Sequence, residues 1–404
     1  MSKEIKFNVR LNVDGKEQLV TAAMSAEELG RNLEEAKGKA GQMRDALVTF
    51  TQSVQNLQNL GNAVSQISNA LNTLTADSRK FDDAMKAANT MAGKDVEGFG
   101  RLKDQVAELG KAIPLTRDQL ANGLYQVISN GVPEDNWIEY LEKSAKASVG
   151  GIADVGEVVK VTSTLIKNYG KDWSDAGSIQ DKIQLAAKNG VTSFEQLAQA
   201  LPRVGGNAAT LGVELDELLA TFATLTGVSG NTSEVATQMA AVFTALVKPS
   251  SEAADMAEKM GITFNAASIK AAGGLQSFLE QLDKSVKTYA RSSGMLEQEV
   301  YGKLFGSAES LRAIGPLTGN LAETFAKNTE SMKNSAGTIE DAFGQMADTG
   351  EARLQRMKNS FSGLTDWIAD GVSGMLPRLN ALNQLVMAGV NVKSLVLAIK
   401  GLNV

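Results

Sequence analysis

The first residues of the chain alternate between apolar and polar side chains. The apolar ones stand at every second position, namely Ile5, Phe7, Val9, Leu11 and Val13. That spacing is the period of a half-buried β-strand. The dipeptide Asp14-Gly15 then gives a hairpin turn signal, and residues 18–24 have the character of a return strand. Because a lone hairpin is marginal in water, we expect residues 1–24 to pair with another subunit or to pack on another element.

A second pattern, with a period of seven residues, follows a capping-box spacing at Ser25 and Glu28. Its positions, which we call the seam, are Leu29, Leu33, Ala36, Ala40, Met43, Leu47, Phe50, Val54 and Leu57, continuing through Gly61, Val64, Ser68, Leu71, Thr75, Ser78, Phe81, Met85 and Ala88. The spacing predicts a long helix over residues 25–91. A heptad pattern of this length drives supercoiling with partner helices, so we favour self-association along the seam. The alternative is a long helix packed on its own chain.

The pattern changes over residues 92–345, where short amphipathic helices are punctuated by glycine. Capping boxes are predicted at Thr116 and at Thr192, and Pro133 and Pro249 are predicted to start one helix and end another. A further helix is predicted to end at Gly227, with one apolar face made of Leu215, Leu218, Leu219, Phe222 and Leu225. These signals predict a compact domain of helical hairpins. The fold class is therefore all-α, apart from the N-terminal hairpin.

The last segment, residues 346–404, is predicted to be helical again. Pro377 interrupts it, and the stretch after it is apolar but broken by Asn383, Asn391 and Lys393. That stretch falls short of the roughly 20 uninterrupted apolar residues that span a bilayer. The chain also ends without a helix stop signal or a polar tail, so we expect it to be part of a longer protein.

Composition excludes several kinds of site. The 404 residues include no cysteine and no histidine, which removes disulfides, thiol nucleophiles, the Ser-His-Asp triad and most zinc sites. The net charge is -6, with 40 basic and 46 acidic residues, and no run of basic residues marks a nucleic-acid footprint. We therefore expect no specific nucleic-acid binding and no cofactor. Residues 1–13 alternate and contain no continuous apolar stretch, so we also expect no secretory signal.

A search for catalytic motifs finds none that is convincing. No Gly-Lys pair is followed by Ser or Thr, so there is no P-loop. The acidic cluster Glu214, Asp216 and Glu217 falls in the first turn of a helix, where carboxylates complement the helix dipole. The glycine pairs Gly205-Gly206 and Gly273-Gly274 lie between helices and are interpreted as hinges or helix ends. We expect no catalytic, cofactor-binding or metal-binding residue, and no enzyme.

One ordered series of short motifs resembles the shared core region of phage tail tape measure proteins. The series is Asn189-Gly-Val-Thr-Ser193, Leu197, Ala200-Leu201, Val204-Gly205, Ala208-Ala209, Leu211-Gly-Val213, Glu217-Leu-Leu-Ala220, Leu225, Gly230-Asn-Thr-Ser-Glu-Val-Ala-Thr237, Leu246, Pro249-Ser250, Met260-Gly-Ile262, Leu304-Phe-Gly306 and Leu376-Pro377. No single motif is specific, but their order over some two hundred residues is. The chain departs from the family at Met239 and Ala240, where a Leu-Arg pair is expected.

The resemblance implies a structural role. Tape measure proteins occupy the lumen of the tail tube, set tail length during assembly and leave before the DNA at infection. The implied partners are further copies of the chain, the tail tube, tail-tip proteins, tail assembly chaperones and, during ejection, the host membrane. The implied location is the virion tail, and the host cytoplasm during assembly.

Two other function classes remain open. A membrane-active or pore-forming helical protein would use the same long helices and the apolar stretch between Val386 and Ile399. A tail-associated muralytic enzyme would need an essential buried carboxylate, for which no candidate pair stands out.

Overall fold

The computed structural model describes residues 4–13, 16–25, 60–360, 362 and 366, with side chains described from Thr75 onward. Two strands come first, β1 (Glu4–Val13) and β2 (Lys16–Ser25), and they pair antiparallel with Val9 opposite Val20. They fall on the two segments that alternate in sequence. As a stable folded unit the hairpin stays a prediction, because two strands alone are marginal in water and no buried side chains are described for them.

The rest of the described chain is helical, in agreement with the predicted all-α class. The helices are α1 (Leu60–Ala92), α2 (Val96–Ala112), α3 (Arg117–Ser129), α4 (Trp137–Gly151), α5 (Val155–Tyr169), α6 (Ala176–Asn189), α7 (Phe194–Ala200), α8 (Gly205–Thr210) and α9 (Leu215–Ser229). They continue with α10 (Thr232–Val247), α11 (Ser251–Lys259), α12 (Ala266–Ala272), α13 (Leu275–Ser293), α14 (Glu297–Phe305), α15 (Ala308–Thr318), α16 (Ala322–Met332), α17 (Thr338–Ala347) and α18 (Gly350–Ser360). No helix among these is both long and apolar enough to cross a membrane.

The chain divides into two units, each assembled from separated segments. The first unit combines Met1–Ala87, Gly110–Ala121 and Gly350–Val404, as far as these are described. The second unit combines Ala88–Leu109 with Asn122–Thr349. The division predicted from the sequence (1–24, 25–91, 92–345 and 346–404) is linear along the chain and stays a prediction.

The second unit is built around α9. This helix packs against α6, α10 and α16. The five residues predicted to form its apolar face are all buried, and the burial extends beyond that face to almost every side of α9 from Leu215 to Thr226. Its hydroxyl residues make this possible, because Thr221 and Thr224 donate to the carbonyls of Glu217 and Ala220 four residues back, at 2.8 and 2.7 Å. Satisfied in this way, they pack like small apolar side chains.

Helix ends follow local chemistry, with small shifts from the predictions. Gln119 and Thr116 exchange the hydrogen bonds of the predicted box at the start of α3. The box predicted at Thr192 lies one residue later, where Ser193 and Gln196 exchange backbone and side-chain hydrogen bonds. Because Ser193 has the extended backbone that an N-cap residue needs, the helix starts after it.

Glycine and proline decide the other ends. The helix predicted to end at Gly227 runs two residues further, because Gly230 is the residue that adopts the left-handed conformation (φ +63°). Pro133 precedes a short 3₁₀ turn, and α4 itself begins at Trp137. The end predicted before Pro249 is confirmed, since α10 stops at Val247.

Candidate functional site

The seam is the site that the sequence singled out. Its positions from Leu29 to Leu57 lie outside the described residues. Val64 and Leu71 lie within α1, for which side chains are described only from Thr75. Self-association along the seam is therefore untested over most of its length.

The last part of the seam is buried inside the chain itself. Thr75, Ser78, Phe81, Met85 and Ala88 are each at most 6% exposed, and together they form one face of the end of α1. A face that is already covered is not available to a partner helix. For this stretch, the alternative of a helix packed on its own chain describes the structure.

A charged cluster in the first unit covers part of that face. Arg117, at the start of α3, makes two parallel hydrogen bonds to Asp366, with Nη1 2.7 Å from Oδ2 and Nη2 2.9 Å from Oδ1. The Ser78 hydroxyl donates to Oδ1 of the same carboxylate over 2.5 Å. The guanidinium carbon also lies 4.6 Å from the ring centroid of Phe81. The cluster, formed by Arg117, Asp366, Ser78 and Phe81, thus joins three segments that are far apart in sequence.

The two charged side chains of the cluster differ in burial, and this difference determines what the pair contributes to stability. The Arg117 side chain is 5% exposed, whereas the Asp366 side chain is 28% exposed. A buried guanidinium needs a counter-charge and acceptors for its donors, and a bidentate carboxylate supplies both. Asp366 is therefore the group that makes burial of Arg117 tolerable.

A second polar contact anchors α18 beside this cluster. The Asn359 side-chain amide donates to the backbone carbonyls of Gly110 and Leu115, over 2.8 and 2.7 Å. Its own oxygen accepts a hydrogen bond from Gln355 at 3.0 Å. A Cβ added at Gly110 would lie 3.1 Å from the Asn359 nitrogen, so the glycine permits the close approach.

In the acidic cluster of the second unit, Glu217 accepts hydrogen bonds from backbone N–H groups, which is a structural role. Glu217, which is 6% exposed, accepts hydrogen bonds from the backbone N–H groups of Leu275 and Gln276, both over 2.9 Å. It therefore caps α13 from a distance of nearly sixty residues in sequence, and the positive end of that helix stabilises its charge. Gly274 makes this possible, since its φ is +126° and an added Cβ would lie 2.5 Å from Glu217 Oε1.

A polar cavity of about 550 Å³ lies beside the first turn of α9. Charged side chains of both signs line it, among them Lys171, Asp175, Lys182, Glu214, Asp216 and Lys333. Lys182 forms an ion pair with Asp216 and donates to the Met332 carbonyl at 3.3 Å. No group of acidic residues in the described part of the chain has the arrangement of a metal site. Two of its lysines are engaged in ion pairs, Lys182 with Asp216 and Lys333 with Glu330.

Tyrosine and tryptophan side chains serve packing here. Burial raises the pKa of Tyr140 well above the ordinary phenol value, and its hydroxyl donates to the Val159 carbonyl at 3.2 Å. Burial also raises the pKa of Tyr169, and the carboxylates of Glu214, Glu217 and Asp216 raise it further. Both are neutral phenols near neutral pH.

Two of the three tryptophans fit the same picture. Trp137 donates its ring N–H to the Val132 carbonyl at 2.8 Å, and Trp173 meets the Tyr140 ring edge-on at 5.9 Å between centroids. Each therefore acts as a packing anchor. Trp367 lies outside the described residues.

The glycine pairs differ from one another. Gly273 ends α12 in the left-handed conformation, as predicted for a helix end. Gly205 instead opens α8, where an added Cβ would lie 3.1 Å from Asn168 and 3.2 Å from Leu165. Its role is therefore the close approach of α8 to α5 rather than a helix end.

The sequence did not point to Arg117, Asp366 or Asn359 as functional residues. Their partners lie up to 249 positions away, so no local spacing marks them. The one available signal was the polarity of the seam at Thr75 and Ser78, where a coiled coil prefers apolar side chains.

Comparison with known proteins places the chain among phage tail components. The model of the family described as phage-related minor tail protein matches residues 103–306, about half of the chain. The chain is 23% identical to a "Probable tape measure protein" of Clostridium phage phiCD119 over 295 residues, which covers 70% of this chain and 30% of that protein. It is 21% identical to a "Tape measure protein" of Pneumococcus phage Dp-1 over 319 residues, covering 77% of this chain and 27% of that protein. The chain thus spans less than a third of the length of either relative. No solved structure matches it.

Proposed function

We propose that this chain, which belongs to the phage-related minor tail protein family, works as a tail tape measure protein. In that role it occupies the lumen of the tail tube, sets tail length during assembly and is released during genome ejection. The observation that carries the proposal is the family match over residues 103–306, together with relatives named as tape measure proteins that align with more than two thirds of the chain. The helical body supports it, since a helix converts residue number into length at about 1.5 Å per residue.

Self-association is part of the proposal. We assign it to the seam from Leu29 to Leu71, where the heptad pattern is most apolar. The other proposed partners are the tail tube, tail-tip proteins and tail assembly chaperones, with host membrane contact during ejection. The proposed location is the interior of the tail tube, after assembly in the host cytoplasm.

The proposal includes no catalytic step. The carboxylates closest to a catalytic arrangement, Glu217 and Asp216, are engaged with a helix N-terminus and with Lys182. No observation on the described residues favours the membrane-active or the muralytic alternative over the structural role.

Tail length tests the proposal directly. In the phage that encodes this chain, residues 29–56 are duplicated in frame, which adds four heptads and preserves the frame of the seam. If those residues are helical in the tube, the tail should lengthen by about 42 Å, at about 1.5 Å for each of the 28 added residues. Electron micrographs of purified virions measure the change.

A matched control keeps the chain length constant. Glu323→Gln alters an exposed side chain of α16 and should leave the tail at its normal length. Normal-length tails from the duplicated gene, with the longer protein present in the virion, would refute the length-setting role.

A further inference from the structure

Thr75 and Ser78 are polar residues at seam positions that a coiled coil fills with apolar side chains. Both are buried, and the Ser78 hydroxyl finds its acceptor in Asp366 of the same chain. In the closed state the Ser78 hydroxyl therefore depends on a carboxylate of its own chain. This end of the seam is therefore matched to the charged cluster of its own chain.

We propose that the Arg117–Asp366 pair is an autoinhibitory latch. While closed, it holds the seam positions from Thr75 to Met85 inside the first unit. When it opens, those positions become available to the same stretch of a second copy. The proposal rests on the seam-mediated self-association put forward above, and adds to it a contact that limits how far along α1 the association extends.

The latch has an identifiable release point. Asp366 bonds both terminal nitrogens of Arg117, and it is the more exposed member of the pair. Solvent and salt therefore reach the carboxylate before they reach the guanidinium. Loss of the carboxylate charge leaves Arg117 buried without a counter-charge, and the cheapest relief is to open the cluster and hydrate the guanidinium.

A second copy is the occupant that the sequence favours once the latch is open. The steps of three and four that run from Leu29 to Leu71 continue into Thr75 and Ser78. Two copies paired along the earlier seam would hold their own latch regions side by side, at a high effective concentration. Newly freed Phe81 and Met85 would then add apolar contact without a separate encounter.

The test uses the full chain with Asp366→Asn, which keeps the shape of the side chain and removes its charge. Hydrogen exchange followed by mass spectrometry should show amides of residues 75–88 exchanging about a hundredfold faster than in the unaltered chain. Sedimentation equilibrium should show an association constant raised by about tenfold or more. The double variant Arg117→Met/Asp366→Asn should return both values to those of the unaltered chain, since no buried charge remains and the asparagine oxygen still accepts from Ser78.

Two controls keep the result interpretable. Glu323→Gln, which breaks an exposed ion pair in the second unit, should change neither readout. Adding Leu47→Asp to Asp366→Asn should abolish the gain in association while leaving the exchange of residues 75–88 fast. If Asp366→Asn loses its helical circular dichroism, 1 M NaCl replaces it as the opening agent, and should raise association of the unaltered chain but not of the double variant.

Each contrary result overturns the latch. Faster exchange without stronger association would mean that the cluster is only structural, and stronger association without faster exchange would mean that the gain does not come from opening. A failure of the proposed function gives a different result. If Leu47→Asp alone leaves the association constant of the chain unchanged, self-association does not use the seam, whatever the exchange data show.

Discussion

In each unit of this protein a carboxylate makes a structural contact, but the positive group that it faces differs between the two units. In the first unit, Asp366 is paired with the guanidinium of Arg117, a full positive charge. In the second unit, Glu217 faces the backbone N–H groups at the start of α13, which together carry about half a charge. A side-chain ion pair can separate and become hydrated on each side. The contact at the start of α13 is enclosed, because Glu217 is only 6% exposed and its two donors are backbone groups of the helix.

The two contacts differ in how easily they can open. The Arg117–Asp366 pair is partly exposed and joins segments of the chain that are otherwise distant, so it fits a contact that opens and closes. Glu217 is almost fully enclosed and is fixed by Gly274 and by its own helix, so it fits a permanent joint. The two contacts can be compared by matched amide substitutions, which change charge but not shape.

The largest effect is expected from Asp366→Asn. It leaves the buried guanidinium of Arg117 without a counter-charge, and loss of one partner from such a pair costs about 3 kcal/mol. The local free energy of opening of residues 75–88, obtained from native-state hydrogen exchange, should fall by that amount. An unchanged value would mean that water already stabilises Arg117 in the closed state.

Glu217→Gln should cost less, about 2 kcal/mol. The glutamine oxygen still accepts one N–H from the start of α13, but its NH₂ group faces the other donor, which is then left unsatisfied. Hydrogen exchange of residues 275–286 should report the loss. A larger loss of opening free energy for Glu217→Gln than for Asp366→Asn would contradict this order. It would show that the start of α13 depends on its carboxylate more than the Arg117 guanidinium depends on Asp366.

Local chemistry predicted much of the helical framework from the sequence. The helix predicted to end at residue 91 ends at Ala92, just before Gly93 with its φ of +63°, and the Thr116–Gln119 box lies where its spacing placed it. These features are predictable because cause and effect lie within a few residues. The same holds for the first-turn carboxylates of α9, whose position indicated a structural role.

Contacts that depend on tertiary structure were not predictable in this way. The acidic cluster was expected to complement the dipole of its own helix, yet Glu217 also caps α13, which begins 58 residues later. The burial of α9 on nearly all sides was missed because Thr221 and Thr224 look polar in sequence and become compatible with a core only through their hydrogen bonds to the preceding turn. In both cases the deciding partner is backbone, which a sequence pattern does not display.

Gly274→Ala sharpens the comparison by testing the Glu217 joint without touching its charge. The added methyl group would require a φ that L-residues avoid and would lie 2.5 Å from the carboxylate, so we expect a loss of about 2 kcal/mol. Gly227→Ala is the matched control, because Gly227 lies in helix α9 with nothing within 4 Å of its added Cβ. It should raise stability by up to about 1 kcal/mol. Urea denaturation followed by circular dichroism measures both, and equal effects would contradict the role of Gly274.

The smallest effect is expected from the exposed pair of Glu323 and Lys327 on α16. A hydrogen bond from Lys327, with its charge, lowers the pKa of the Glu323 carboxyl below its ordinary value. A carboxyl with a lowered folded-state pKa stabilises the fold above its unfolded pKa, and loses that contribution as the pH falls through the folded value. Because both side chains are in solvent, Glu323→Gln should leave the urea midpoint at pH 7 unchanged within error, with or without 1 M NaCl. A clear, salt-sensitive shift of the urea midpoint would show that an exposed ion pair also stabilises this protein. The difference between this pair and the Arg117–Asp366 pair would then rest on the burial of the guanidinium and not on exposure alone.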